Sequence, residues 1–204
     1  NMQPSQASDA SHEDIVAFAK EVVIDPRISE TCQGFEVPFY QAGLAGYSDG
    51  AMRLIARRHG CPFCITEALL DRTLINGGKG RRKEDPDILA EEATSGDVEG
   101  NTAAGLDDHP IAGQIIGSNP DEMAQGACIL STMGYDMIDV NLACPVKKIR
   151  KRNRGGHFLC SPEGACEILS AVRSAVPDHI PTTVKMRRGW DDSGESKHNF
   201  FTIF

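Results

Sequence analysis

Short apolar runs alternate with helical patterns along most of the chain. Five runs have the length and composition of strands, at 36–42, 62–70, 110–117, 137–143 and 181–188. Between them, apolar residues recur at helical spacing, and helices are predicted to begin at Ser48 or Asp49, at Asn119-Pro120 and at Ser161-Pro162. The first of these helices should end near His59, and the last residues of the chain enter another helix. This alternation is typical of a parallel α/β sheet.

Polar residues stand toward the carboxyl ends of four predicted strands: Glu67, Gln114, Asn141, Lys185 and Arg187. In a (β/α)8 barrel these ends meet at one face, which carries the active site. A doubly wound sheet also fits the alternation, although no GxGxxG motif follows the first strand. Because only five strands are visible, a barrel would be incomplete.

The strand pattern divides the chain into an N-terminal tail with a helix (1–35, the helix at 11–23) and a sheet region (36–204). A polar segment at about 77–109 interrupts the sheet region. From Glu84 to Asp108 it holds nine acidic residues and no Lys or Arg. We interpret it as a solvated insertion, with a regulatory or partner-binding loop as the alternative.

Composition narrows the class of protein. The 204 residues carry a net charge of −8, so nucleic-acid contact would need a local basic patch. Seven cysteines, an odd number, without a secretory signal favour a reducing compartment, here the cytoplasm. No apolar run approaches the ~20 residues of a membrane helix. The histidine spacings predict no metal site.

The strongest chemical signal is Cys144, at the end of the fourth predicted strand. Pro145 follows it, and then six basic residues within eight positions, 147–154. The pKa of a thiol is near ~8.5 and falls in a positive field, which suits a nucleophile or a general acid. The basic run itself favours a polyanionic substrate. The alternative is a buried cysteine beside a solvated loop.

Two other groups of residues are candidates for chemistry. Lys185 and Arg187 alternate along one strand, so both should point to one face. Inside a barrel they would need an anion or a polarised ligand, and the Gln114 amide would need a partner such as a flavin or uracil ring. An exposed face or a mutually satisfied network is the alternative. The lone CxxC at 61–64 is interpreted as core packing, as are Cys128, Cys160 and Cys166.

Several stretches together resemble the tRNA-dihydrouridine synthases, flavoproteins built on a (β/α)8 barrel. "AGLAGYSDG" is similar to that family's A-P-M-A-G-x-T-D, and "ITEALL" to its T-E-M segment. "QIIGSNPDEMAQGA" matches Q-I-x-G-x-x-P-E, "DVNLACPVKK" resembles D-I-N-x-G-C-P-x-x-K, and "VKMRRGWDD" resembles V-K-x-R-x-G-W-D. The stretches follow in order from about residue 36 to the end. The resemblance implies a TIM barrel of which about the first five strands are present.

The resemblance also implies an enzyme that reduces uridine to 5,6-dihydrouridine in tRNA, with FMN as cofactor and NADPH as reductant. Reduced FMN would pass a hydride to carbon 6 of the uracil, and Cys144 would give a proton to carbon 5. The flavin would be held by Ala42, Gly43, Leu44, Gln114 and Lys185. The substrate would be held by Asn141, Arg187 and Glu67 at the base, and by Lys147, Lys148, Arg150, Lys151 and Arg152 at the tRNA phosphates. A monomer is expected.

The chain departs from the family pattern in places. Gly43 and Leu44 replace the usual proline and methionine, and Ala143 replaces the glycine before the cysteine. The later strands and the helical domain of the family are not seen, so we expect a fragment of the full enzyme. Two alternatives stay open. One is a related flavin barrel acting on free pyrimidines, as dihydroorotate and dihydropyrimidine dehydrogenases do. The other is an inactive half-barrel with residual RNA binding.

Overall fold

The computed structural model describes residues 39–45, 47–76 and 107–204, and three helical positions near the start of the chain, Asp14, Ala17 and Glu21. These three positions fall within the helix predicted at 11–23. The predicted tail at 1–10 and nearly all of the predicted insertion, 77–106, lie outside the described residues.

Helices alternate with parallel strands through the described ranges. In chain order the elements are α1 (Gly50–Arg58), β1 (Cys64–Ile65), β2 (Leu69–Leu70), α2 (Asp71–Ile75), β3 (Ile111–Ile116), α3 (Pro120–Leu130), β4 (Met137–Leu142), α4 (Lys147–Arg150), a 3₁₀ helix (Gly155–Cys160), α5 (Pro162–Ala175), β5 (Thr182–Met186) and α6 (Gly194–Ile203). β1 and β2 pair in parallel with one edge of β3, β4 pairs with its other edge, and β5 pairs with β4. The predicted parallel α/β arrangement is confirmed.

The last three predicted strands are confirmed with slightly shorter ends, and the stretch 62–70, predicted to hold one strand, is divided. Two short strands occupy that stretch, and the ladder between them is interrupted at 66–68. There the Thr66 hydroxyl accepts the backbone N–H of Gln114 at 2.9 Å, in place of a backbone carbonyl. Of the strand predicted at 36–42, the described part contains one bridge, between Gln41 and Cys64.

Side chains at the helix starts satisfy backbone N–H groups that have no partner within the helix. The Asp49 carboxylate accepts from Met52 N at 2.9 Å at the start of α1. The Asn119 amide oxygen accepts from Asp121 N and Glu122 N at the start of α3, at 2.9 and 3.0 Å. These two predicted starts are confirmed. α5 also begins where predicted, but the Ser161 side chain makes no capping bond there.

The hydrophobic core lies between the sheet and the helices α3 and α5. Successive residues of a strand face opposite sides, and the side that faces the helices is mostly apolar, with Thr182 of β5 accepting a hydrogen bond from Arg173 of α5. The core is built from Ile111, Ile115, Ile138, Val140 and Leu142 of the strands with Met123, Leu130, Ile168 and Val172 of the helices. Gly113 has no room for a side chain, because a Cβ there would lie 2.8 Å from the Tyr135 ring.

A buried ion pair anchors α1 to the segment before β3. Asp108, at the end of the predicted solvated insertion, is instead fully buried. Its carboxylate accepts from Arg53 Nε at 3.2 and 3.1 Å and from Arg53 Nη2 at 2.7 Å, and Arg53 is 1% exposed. A bidentate pair of this kind tolerates burial because both ions are hydrogen-bonded.

We expect the Asp108→Asn variant to lower the free energy of unfolding by about 3–5 kcal/mol, because it leaves the buried Arg53 guanidinium without its counter-charge. Urea denaturation of the chain measures this. Glu122→Gln is the control, since it breaks the more exposed pair with Arg72 and should change the free energy by about 1 kcal/mol or less. Equal effects of the two variants would show that the buried pair has no special role.

Candidate active site

The face of the sheet opposite the helices changes from apolar to polar along the strands. Near the amino ends, Ile65, Ala112 and Met137 are aligned as register partners across β1, β3 and β4. The next layer toward the carboxyl ends aligns Gln114, Asp139 and Thr183 across β3, β4 and β5, and the layer after that aligns Asn141 with Lys185. A layer of apolar side chains therefore lies below the polar layers, toward the amino ends of the strands.

Hydrogen bonds join the polar layers into one network. The Asp139 carboxylate accepts from Gln114 Nε2 and from the Thr183 hydroxyl, both at 2.7 Å. Gln114 Oε1 in turn accepts from Asn141 Nδ2 at 2.8 Å. Two of the predicted site residues, Gln114 and Asn141, are thus brought into direct contact. The sequence left open whether Gln114 meets a ligand or another side chain, and here its amide bonds to two neighbours.

The network continues to Cys144 through the backbone. Asn141 Oδ1 accepts from the backbone N–H of Ala143 at 3.0 Å and of Cys144 at 3.1 Å. From the other side, Gly156 N donates to Cys144 O at 2.9 Å. Gly155 adopts φ +56°, and a Cβ there would lie 2.9 Å from the Cys144 Cβ, so glycine is required. The half-buried Cys144 thiol is therefore held by its own backbone at the end of β4.

Residues 42–44 pass close to Thr66, which follows β1, and to the Gln114 side chain on β3. A Cβ on Gly43 would lie 2.3 Å from Thr66 O and 3.5 Å from Gln114 Oε1, so no side chain fits between these groups. Leu44 is exposed, and its backbone N–H donates to the Ser48 hydroxyl. Glu67 is 8% exposed, and its Oε1 makes no hydrogen bond within the described ranges. A buried oxygen of that kind is available to a ligand donor.

Burial dominates the electrostatics around the network. It raises the pKa of the Asp139 carboxyl, while the bonds from Gln114 and Thr183 and the charge of Lys185 act in the opposite direction. Burial also raises the pKa of Tyr40, with Asp139 adding to the effect. The described polar layers contain one acidic group, Asp139, and one cationic group, Lys185.

The other cysteines that the structure describes range from buried to exposed, with Cys61 and Cys166 half-buried. Burial raises the pKa of Cys64 to about 12, so this thiol stays protonated, and the prediction of core packing is confirmed for it. Cys61 is half-buried and donates to Phe63 O. The packing prediction is wrong for Cys128 and Cys160, which are exposed because they lie on the solvent side of their helices.

The predicted basic loop is a short helix, α4, followed by turns. Ile149 is buried and fixes α4 to the protein, which leaves Lys147, Arg150 and Lys151 exposed. Lys148 and Arg152 are half-buried. The Arg150 guanidinium lies 4.3 Å above the centre of the Trp190 ring, in a cation–π contact. α4 therefore presents a cationic surface next to Cys144.

Arg154 differs from the rest of the basic run because it is buried, at 6% exposure. Burial raises the pKa of the Asp71 carboxyl, and the positive charge of Arg154 works against this rise. Arg154 therefore interacts with groups inside the protein, such as Asp71, and is not part of the cationic surface that α4 presents.

Arg187 lies beyond the end of β5 and is exposed. Together with residues 188–192 it lines a cleft of about 520 Å³ between β5 and α6. Within this segment Asp191 accepts from Ser193 and Ser196, which lowers its pKa to about 2. The other predicted residue of this strand, Lys185, is half-buried within β5, as the register partner of Asn141.

Sequence reasoning missed Asp139 and Thr183. The available signal was a single acid inside an otherwise apolar run, two positions before Asn141 and therefore on the same face. Among the residues that the structure describes, no group of three or more His, Cys, Asp or Glu residues could hold a metal ion. No described helix is long and apolar enough to span a bilayer.

The chain is similar in sequence to proteins of one known family. The family model "Dihydrouridine synthase (Dus)" matches residues 40–204. The tRNA-dihydrouridine(16) synthases of Pseudomonas putida and Vibrio cholerae are 35% and 37% identical to the chain, over 74% and 73% of it and 43% of each relative. The tRNA-dihydrouridine synthase B of Shewanella oneidensis is 31% identical over 74% of the chain and 41% of that protein.

The chain spans less than half the length of these relatives. The family match nevertheless covers every strand and helix from α1 to α6, in the order that the structure shows. The chain belongs to the dihydrouridine synthase family, and its parallel strands and alternating helices are part of a (β/α)8 barrel.

Proposed function

We propose that this chain carries the flavin site and the proton donor of an enzyme that reduces uridine to 5,6-dihydrouridine in tRNA. The observation that carries the proposal is the fixed position of Cys144, at the end of β4 and joined to the Gln114–Asn141 network through Asn141 Oδ1. The relatives reported above are all named as tRNA-dihydrouridine synthases.

The polar layers fit the ring of FMN. A flavin edge alternates carbonyl oxygens with ring nitrogens, and the site offers amide groups at Gln114 and an ammonium group at Lys185. Ala42, Gly43 and Leu44 would lie along the ring with their backbone, since the Gly43 position leaves no side chain in the way. When bound and reduced by NADPH, the flavin would supply a hydride to carbon 6 of the uracil.

Cys144 completes the reaction as a general acid. Hydride addition at carbon 6 leaves an electron pair at carbon 5, and the Cys144 S–H bond breaks to give carbon 5 its proton. The C5–C6 double bond becomes a single bond, and the thiolate regains a proton from solvent. Asn141, Glu67 and Arg187 would hold the base in place during this transfer.

The cationic surface of α4 favours an RNA substrate over a free pyrimidine. Phosphates of the tRNA would be contacted by Lys147, Lys148, Arg150, Lys151 and Arg152. Contacts to phosphates position a nucleic acid without distinguishing its sequence. The uridine must leave its stack to reach the site. A tRNA substrate and free thiols are consistent with a cytoplasmic enzyme. The monomeric state of the protein stays a prediction.

We expect the chain to take up FMN, with the visible absorption bands of bound flavin, and the Lys185→Met variant to bind FMN about 10- to 100-fold more weakly. A hydrogen bond from a charged group has that strength. Lys197→Met is the control, because Lys197 is exposed on α6. Titration by flavin fluorescence measures both. A wild-type chain that stays colourless, or an unaffected Lys185→Met, would contradict the proposed flavin site.

We expect Cys144→Ala to slow dihydrouridine formation in unmodified tRNA by about 10²- to 10⁴-fold, which is the usual contribution of a general acid. Flavin binding should be unchanged, because the thiol supplies a proton and not a binding contact. Mass spectrometry of tRNA nucleosides measures the product, with Cys128→Ala as the matched control on α3. Normal product yield from Cys144→Ala would rule out the proton-donor role.

We expect Lys151→Gln to reduce the slope of log K against log salt for tRNA binding by about 0.7–0.9, the effect of one lost phosphate contact. Arg58→Gln removes one charge at the end of α1, at the opposite end of the strands from Cys144, and should leave the slope unchanged. Filter binding across a salt series measures both slopes. Equal slopes for the two variants would argue against α4 as the RNA surface.

A further inference from the structure

Two side-chain amides form a chain between groups whose hydrogen-bonding character is fixed. At one end stands the Asp139 carboxylate, with each oxygen already accepting a bond at 2.7 Å, from Gln114 and from Thr183. At the other end stand the backbone N–H groups of Ala143 and Cys144, which can only donate. The Gln114 and Asn141 amides lie between these ends.

An amide can turn over by half a rotation without changing its shape, so packing alone does not fix its orientation. The orientation of each amide is instead determined by the groups at the two ends, whose donor or acceptor character is fixed. If Gln114 turned over, its Oε1 would face the Asp139 carboxylate and its Nε2 would face Asn141 Nδ2. If Asn141 turned over as well, its Nδ2 would face the N–H groups of Ala143 and Cys144. One orientation of the pair satisfies every contact.

We propose that Asp139 is a positioning residue, whose carboxylate sets the orientation of Gln114 and, through it, of Asn141. The orientation of the Asn141 amide affects the reacting groups in two ways. Asn141 Oδ1 is directed to the backbone of Cys144, and the second N–H of Asn141 is left to meet a carbonyl oxygen of a bound ring. That last step rests on the proposed function, while the orientation itself does not.

The surroundings of Asp139 support this role. Asp139 is 3% exposed in the middle of the sheet, where a lone carboxylate would be strongly disfavoured. Its register partners, Gln114 on β3 and Thr183 on β5, supply donors from both sides, and Lys185 adds a positive charge from the next layer. Burial raises the pKa of this carboxyl, but each of its oxygens accepts a hydrogen bond, from Gln114 and from Thr183, which is the property that the orientation requires.

Moving the carboxylate from residue 139 to residue 141 by substitution tests the proposal. Asn141→Asp alone places Gln114 between two carboxylates, so one acceptor must face another. We expect the equilibrium constant for unfolding to rise about 10- to 100-fold. Asp139→Asn alone should stay within about threefold of wild type, since the Thr183 hydroxyl can accept as well as donate. The double variant D139N/N141D should regain wild-type stability, because a turned-over Gln114 then satisfies both neighbours.

A second measurement separates orientation from simple charge repulsion between residues 139 and 141. In wild type, NMR cross-peaks from the Gln114 amide hydrogens should reach the side chain of residue 139, and in D139N/N141D they should move to residue 141. Rescue of stability with this move supports the proposal. Rescue without the move would mean charge repulsion only, and a double variant no more stable than N141D would equally overturn it.

These measurements need neither flavin nor tRNA. A chain that failed to bind FMN would contradict the proposed function, while the unfolding and NMR data would still decide the role of Asp139. If both hold, D139N/N141D should fold and yet reduce uridine poorly, because residue 141 no longer offers an N–H to the ring.

Discussion

A carboxylate buried in the middle of the sheet is the constraint on which the site depends. Asp139 can occupy that place only if donors reach it from both neighbouring strands, and Gln114 and Thr183 do so as its register partners. A slip of one residue in either pairing would turn the polar layer toward the apolar helices. The pairing of β3, β4 and β5 and the chemistry of the site are therefore fixed together.

The same strands serve stability and function on opposite faces. Toward the helices they are mostly apolar, so that face packs against α3 and α5. On the other face the apolar layer of Ile65, Ala112 and Met137 lies below the polar layers, as inward-facing layers do in (β/α)8 barrels. Polar groups are thus confined to the carboxyl ends of the strands, where a ligand can satisfy those that the protein leaves open, such as Glu67 Oε1.

Local signals in the sequence were sufficient for most of the fold. The caps at Asp49 and Asn119 and the apolar runs at 110–117 and 137–143 depend on near neighbours, and each prediction matched the structure. The break between β1 and β2 depends on a bond from a residue 48 positions away, Gln114 N to Thr66 Oγ1, which no local pattern contains. The exposure of Cys128 likewise depends on which side of α3 faces the sheet.

The residues of the site likewise divide into those that the adjacent sequence indicates and those whose role depends on residues distant in sequence. Cys144 was recognisable because the strand end, the proline and the basic run are contiguous with it. Asp139 was not recognisable, because its role depends on hydrogen-bond donors that lie on β3 and β5 and are distant from it in sequence. Yet the two are joined, since Asn141 Oδ1 binds the Cys144 backbone only while its amide is correctly oriented. The Cys144 thiol is positioned by its backbone, and that backbone is held by the polar network, so the proposed proton donor depends on Asp139, with which it shares no direct hydrogen bond.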